Sequence, residues 1–134
     1  MPYTYFNSSK FSKMKIFIIT GSLFMALTVL TGAFGAHSLK HKLSMENMKI
    51  FEKGVQYQAY HSIGLVLIGL LGYFSPHHLL WYPALFFIFG MILFSGSLYI
   101  LVLSDIKWLG MVTPLGGISF VFGWITLAWI FFHN

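Results

Sequence analysis

The chain has 134 residues, of which 57% are hydrophobic and 8% are charged, and its formal net charge is +5. Soluble domains carry about 25% charged residues, so this composition excludes a soluble monomer and a disordered chain and indicates an integral membrane protein. Lysine supplies every positive charge, arginine and cysteine are absent, and the lysines flank apolar stretches. These features exclude a nucleic-acid surface, disulfides and thiolate metal sites.

The first apolar segment follows a polar tail. Residues 1–14 lack a pattern and are predicted to be a disordered tail, with Met14 as a second candidate start, and residues 15–134 form one membrane domain. Residues 16–37 carry no charge and are long enough to cross a hydrocarbon core about 30 Å thick. A signal peptide cleaved near Ala33 is the competing interpretation, and the apolar segments that follow favour a retained span.

Residues 38–56 form the only long connection between apolar segments and hold four of the eight lysines. Ser44 is predicted to be an N-cap, with Glu46 in the first helical turn. Apolar residues from Met48 to Val55 recur at spacings of three and four. This spacing is typical of a short amphipathic helix on the membrane surface, and a polar loop is the alternative.

Three further apolar segments complete the predicted bundle. Residues 57–74 form span two, residues 82–103 form span three and residues 108–132 form span four. Pro114 predicts either a kink in span four or a helix that begins after Thr113 as N-cap. The predicted fold is therefore all-α: an integral membrane four-helix bundle with a short amphipathic helix between spans one and two.

The lysines predict the orientation of this bundle. Four spans place both termini on one side, with three lysines there and five on the side of the long loop 38–56. Because cytoplasmic loops carry the excess of lysine, we expect the loop in the cytoplasm and both termini outside. The expected partners are the lipid bilayer and either a second copy of the chain or another membrane protein, with no nucleic acid.

Small residues recur along the spans at spacings of three and four, as in helices that pack closely in lipid. The predicted helix-packing positions are Gly32, Gly35, Gly69, Gly72, Gly96, Gly116 and Gly123. Close packing is favoured over a ligand cleft for these glycines, because backbone approach replaces the hydrophobic force between helices in a bilayer.

Histidines are the candidates for chemistry inside the spans, because all three carboxylates and all eight lysines lie outside them. His61 lies about one turn inside span two and His37 ends span one on the same membrane side; Tyr57, Gln58 and Tyr99 are the polar residues expected near them. A hydrogen-bonded structural histidine is the favoured interpretation of His61, followed by ligand or proton handling and then by a metal or haem role. No catalytic residue, metal ligand or cofactor motif is predicted.

Four motifs in chain order resemble a known family. They are GAFGAH from Gly32, YQAYH from Tyr57, FSGSLY from Phe94 and TPLGG from Thr113, followed by Gly123-Trp124. This pattern is similar to the YgdD/YwdK-like family of small bacterial membrane proteins (domain of unknown function 423, UPF0382 type), over about residues 14–132. The resemblance implies a four-span plasma-membrane protein and carries no activity, substrate or cofactor. The tail before Met14 departs from the family's short N-terminus.

The functional prediction has three levels. A non-enzymatic structural or interaction component of the membrane is favoured, because the spans hold small-residue seams and few polar groups. The alternative is a binder or transporter of a small molecule or ion with a site near His37 and His61. A haem or quinone redox protein is the weaker alternative.

Overall fold

The computed structural model describes residues 8–75 and 77–133, and every regular element in these ranges is helical. The five α-helices are α1 (Ser8–Phe34), α2 (Met45–Phe74), α3 (Trp81–Gly90), α4 (Ser97–Ser104) and α5 (Thr113–Phe132). π-Helical turns extend α1 over Gly35–Leu39 and join α3 to α4 over Met91–Gly96. Short 3₁₀ turns precede α3 and α5, at His78–Leu80 and Lys107–Met111.

Helix α1 begins earlier and ends later than the first predicted span. It starts at Ser8, inside the segment predicted to be a disordered tail, and residues 1–7 lie outside the described residues. At its other end the π turn carries the helical path to Leu39, whose side chain is buried. The helical region that contains predicted span one therefore extends beyond both of its predicted ends.

Helix α2 differs from the prediction, because its 30 residues form one continuous helix where a separate surface helix followed by a span was expected. The N-cap is as predicted: Ser44 accepts a hydrogen bond from the Asn47 backbone N–H at 3.1 Å, and Glu46 lies in the first turn. The first turns of α2 stay in line with the rest because they pack against protein. Phe51 is buried in a small core with Leu39 and Val102, so this part of the helix does not lie on the membrane surface.

The third helical stretch runs from α3 through the π turn into α4 and ends at Asp105. Asp105 adopts a left-handed conformation with φ 55°, which reverses the chain before the next 3₁₀ turn. Helix α5 then begins at Thr113 with Pro114 in its first turn, so the proline starts a helix where no hydrogen bond from its nitrogen is needed. The helix-start interpretation of Pro114 holds, with Val112 as the N-cap in place of Thr113.

The helices pack with α2 between α1 and the α3–α4 stretch, and α5 packs against α3 and the π turn that follows it. The main core forms where α1, α2, α3 and α5 meet. Its buried residues are Met14, Phe17, Leu65, Ile68, Leu80, Ala84, Phe87, Met91, Phe120 and Ile130. Large apolar side chains also cover the outer surface, as Leu23 and Leu30 of α1 do with about two thirds of their surface exposed, which suits contact with lipid.

Three helical stretches have the length and composition of membrane spans: Met14–Leu39, His78–Ser104 and Lys107–Phe132. They contain predicted spans one, three and four. Predicted span two, within α2, is not among them. It is less apolar because it contains Gln58, His61 and Ser62, all of which are buried inside the protein.

The predicted packing glycines divide into two groups. A Cβ at Gly35, Gly69, Gly72, Gly116 or Gly123 would come within about 2.6 Å of an atom of another helix, so these glycines lie at close contacts. Gly96 has nothing within 4 Å of such a Cβ, and Gly32 has only Val55 at 3.4 Å, so neither lies at a close contact. Close contacts also occur at three glycines outside the predicted set, namely Gly54, Gly64 and Gly90.

Candidate functional site

His61 is buried in the centre of the helices, with 4% of its surface exposed, and both of its ring nitrogens have protein partners. Nδ1 lies 2.7 Å from the carbonyl oxygen of Tyr57, one turn earlier in α2. Nε2 lies 3.1 Å from the indole Nε1 of Trp124 in α5. Because a carbonyl only accepts and an indole N–H only donates, this geometry requires the neutral ring with its proton on Nδ1.

Aromatic rings enclose the imidazole. Phe120 stacks on it with ring centroids 3.4 Å apart and planes within 8°, and Phe87 meets it edge-on at 5.1 Å. Tyr57 continues the cluster by stacking on Phe94 at 4.6 Å. The ring of His61 is therefore fixed by both hydrogen bonds and stacking, which leaves one orientation available to it.

Gln58 connects three helices. Its amide nitrogen donates to the carbonyl oxygen of Phe24 in α1 at 3.1 Å, and its amide oxygen accepts from the Tyr99 hydroxyl of α4 at 2.8 Å. The Gln58 side chain is 3% exposed. The predicted residues Tyr57, Gln58, Tyr99 and His61 therefore do come together, as two adjacent hydrogen-bonded groups on α2.

Serine hydroxyls add further bonds between helices. Ser95, in the π turn, donates to the Gly54 carbonyl of α2 at 2.7 Å, and Ser119 of α5 donates to the Phe86 carbonyl of α3 at 2.7 Å. Ser97 and Thr113 share a hydrogen bond of 2.7 Å between α4 and α5. Within the described residues, no buried side-chain nitrogen or oxygen lacks a hydrogen-bond partner.

His37 does not join this site. Its side chain is exposed, in the π turn at the end of α1. That end of α1 packs at the level of Phe51, which a Cβ on Gly35 would contact, and Phe51 precedes His61 by ten residues. At 1.5 Å per residue the two histidines are separated by about 15 Å along the helix axis. In the described part of the chain, no three His, Asp or Glu side chains gather where they could hold a metal ion.

A groove beside His61 opens on the outer surface between α2 and α5. Its volume is about 550 Å³ and its walls include Tyr60, His61, Phe120 and Trp124. Sequence reasoning missed Phe120 and Trp124 as site residues. Their spacing of four places them on one face of α5, and Trp124 belongs to the Gly123-Trp124 motif, which was the available signal.

The chain matches a family model described as protein of unknown function (DUF423) over residues 31–117. A UPF0382 membrane protein of Staphylococcus haemolyticus is 48% identical over 114 residues, which are 85% of this chain and 93% of that protein. The UPF0382 membrane protein YwdK of Bacillus subtilis is 43% identical over 120 residues, which cover 86% of this chain and 94% of YwdK. The chain belongs to the DUF423 family. No solved structure matches it.

Membership of the DUF423 family confirms the predicted resemblance and the predicted membrane character. The matched residues include Gln58, His61 and Tyr99, and they end before Phe120 and Trp124. The UPF0382 relatives are bacterial and are named as membrane proteins. The DUF423 chain described here has three helical stretches apolar enough to cross such a membrane.

Proposed function

We propose that the protein is a non-enzymatic, four-span component of the bacterial plasma membrane. Its role is to pack against lipid and against a second copy or another membrane protein, with the polar residues inside the bundle holding its own helices together. The long connection between α1 and α2 lies in the cytoplasm in this proposal, and both termini lie outside.

One observation carries the proposal: the polar groups within the bundle are already bonded to the protein. Both nitrogens of His61 have partners, and so do both polar atoms of the Gln58 amide. A proton relay or a catalytic residue needs a group that is free to meet its substrate. Side chains that bond only to neighbouring helices act as links between those helices.

The burial of its polar side chains also supports α2 as the fourth span. Gln58 is 3% exposed and Ser62 is fully buried, so crossing the bilayer would not expose them to lipid. Polar residues in spans face the bundle interior and pair there. Helix α2 also lies between α1 and the α3–α4 stretch, both of which have the composition of spans.

A second candidate is a binder of a small apolar molecule in the groove between α2 and α5. The observation in its favour is the volume of about 550 Å³ beside Tyr60, His61 and Trp124. A haem role is less favoured, because iron coordination would need the Nε2 lone pair that Trp124 occupies.

Variants of His61 test the proposal against the second candidate. His61→Gln keeps a donor and an acceptor, and His61→Leu keeps only volume. We expect the glutamine variant to be tolerated and the leucine variant to lose about 1–3 kcal/mol of stability, because the Trp124 N–H and the Tyr57 carbonyl are left unpaired. Melting temperatures in detergent measure this.

Native mass spectrometry of the same samples provides the second readout. The proposal expects wild type and both variants to carry the same bound masses. A small molecule bound in equal amount to wild type and lost from both folded variants would contradict the proposal and establish the binder.

A further inference from the structure

A second groove lies at the other end of α2, between α1 and the first turns of α2. Its volume is about 590 Å³. Gly32, Ala36 and Val55 form part of its apolar floor, and Lys49, Glu52 and Lys53 lie along its polar edge. This combination of an apolar floor and a charged edge differs from the groove beside His61, which has no charged residue in its walls.

The groove exists because the helices separate at Gly32. At Gly35, less than one turn away, a Cβ would lie 2.6 Å from the Phe51 ring, so the helices are in close contact there. At Gly32 the same Cβ would meet only Val55, at 3.4 Å. Gly32 therefore provides space between α1 and α2, and a larger side chain at this position would occupy the groove.

The depth of the groove matches the boundary between acyl chains and headgroups. The apolar stretch of α1 ends at Leu39, seven residues or about 10 Å beyond Gly32. On the facing helix, charged residues line the groove on successive turns of α2. The floor is thus at the level of acyl chains and the edge at the level of headgroups.

The charges at this edge favour a phosphate group. Lys49 and Lys53 are one turn apart, and Lys53 donates a hydrogen bond to Gln56 at 3.3 Å, which keeps its ammonium at the edge. Glu52 is the acidic residue beside them, and its carboxylate can accept hydrogen bonds from hydroxyl groups. Lys40 and Lys42, just beyond α1, add positive charge to the same end of the molecule.

We propose that this groove is a binding site for an anionic phospholipid whose headgroup carries hydroxyls, of the phosphatidylglycerol class. The phosphate lies between Lys49 and Lys53, a headgroup hydroxyl donates to Glu52, and one acyl chain follows Gly32 and Ala36. A choline headgroup fits less well, because it brings a quaternary cation beside two lysines and has no hydroxyl to donate. The proposal goes beyond the function proposed above and requires only that α1 crosses the membrane.

Lipid retention in native mass spectrometry tests this site. The full-length protein in mild detergent is mixed with phosphatidylglycerol, phosphatidylethanolamine or phosphatidylcholine of identical acyl chains. We expect about tenfold more retained phosphatidylglycerol than phosphatidylcholine, since each lysine near a headgroup contributes about 1 kcal/mol of attraction to anionic lipid. Equal retention of the three lipids, or a preference for phosphatidylethanolamine, would overturn the proposal.

Two double variants separate the site from general charge. Lys49→Gln with Lys53→Gln should abolish the preference for phosphatidylglycerol. Lys40→Gln with Lys42→Gln removes the same charge outside the groove and should preserve it. An equal loss in both double variants would mean that the lipid is attracted by net charge alone and would contradict a built site.

Filling the groove tests the acyl-chain position. Gly32→Leu should reduce retention of phosphatidylglycerol to the level of phosphatidylcholine, with its melting temperature as the check on folding. Ala36→Leu is the second filling variant, because Ala36 is exposed in the groove and tolerates a larger side chain without a core clash. Full retention in both folded variants would contradict the proposed chain position.

Discussion

The Tyr99 hydroxyl donates a hydrogen bond of 2.8 Å to the Gln58 amide oxygen, although the two residues are 41 positions apart in the chain. The same amide donates through its nitrogen to the Phe24 carbonyl, so one side chain links α1, α2 and α4. Such bonds between helices replace the hydrophobic force that is missing in lipid. Gln58 is therefore expected to contribute more to stability than a polar residue on the outer surface.

Substitution of Gln58 tests this link. Gln58→Leu should lower the free energy of unfolding by about 1–3 kcal/mol, because it strands the Tyr99 hydroxyl. Tyr99→Phe alone should cost about 0.5–1.5 kcal/mol, and the double variant should cost less than the sum of the two. Unfolding in detergent measures all three values.

Tyr60→Phe is the matched control. Tyr60 also has a hydroxyl bonded to a glutamine amide, Gln56, at 2.7 Å, but that pair is exposed. Its loss should change stability by less than about 0.5 kcal/mol. Strict additivity of the Gln58 and Tyr99 variants would show that their hydrogen bond contributes nothing.

Two glycines that are indistinguishable in sequence should respond oppositely to the same substitution. At Gly116 a Cβ would collide with the Phe94 backbone, whereas at Gly96 it would meet nothing within 4 Å. Gly116→Ala should destabilise the protein by about 1–3 kcal/mol, because the backbone of a packed helix must move. Gly96→Ala should be neutral or slightly stabilising, since alanine is the better helix former.

Melting temperatures of the two alanine variants decide the matter. Leu67→Ala serves as an additional reference, because Leu67 is 47% exposed on the outer surface of α2 and contributes little packing. A drop at Gly96 as large as the drop at Gly116 would mean that the contacts assigned to Gly116 are wrong.

The difference between these glycines shows what the sequence could predict. The number of apolar segments, the turn at Asp105 and the cap at Ser44 follow from local residue chemistry, and the structure agrees with each of them. The direction of Gly96 does not, because the π turn at Met91–Gly96 changes the register of the helix. The turn brings Ser95 towards α2 and leaves Gly96 at an open position.

The candidate site was predictable to the extent that it lies on one helix. Tyr57, Gln58 and His61 are within one turn of each other, so helical periodicity alone brings them together. Trp124 and His37 depend on how separate helices are aligned. The alignment of α1 with α2 is set by contacts such as Gly35 with Phe51, which a single sequence does not reveal.

The number of spans can be tested by labelling single cysteines, because the chain contains none. Lys42→Cys and Ser75→Cys place exposed cysteines at the two ends of α2. If α2 crosses the membrane with its N-terminal end in the cytoplasm, an impermeant maleimide should label Ser75→Cys and leave Lys42→Cys unlabelled in intact cells.

Two further positions and a permeabilised sample complete this experiment. Lys107→Cys should behave like Lys42→Cys, and His133→Cys like Ser75→Cys. All four should react once the membrane is permeabilised. The same result at Lys42 and Ser75 would exclude α2 as a span, and a full reversal of the pattern would invert the orientation.

The hydrogen bond from Trp124 to His61 gives the final prediction. Trp124→Phe keeps an aromatic ring but removes the N–H that Nε2 of His61 accepts, so stability should fall by about 1–3 kcal/mol. Trp129→Phe is the control, because Trp129 is 52% exposed and its ring packs on His133 at the end of α5.

Chemical modification with diethyl pyrocarbonate reports on the same lone pair, because the reagent attacks an unprotonated imidazole nitrogen. His61 should be unreactive in wild type and in the Trp129 variant and become reactive in Trp124→Phe, while exposed His37 reacts in all three proteins. Peptide mass spectrometry reads each histidine separately. Wild-type His61 reacting as fast as His37 would show that Nε2 is free, and the bonded, structural histidine would then give way to the ligand-binding alternative.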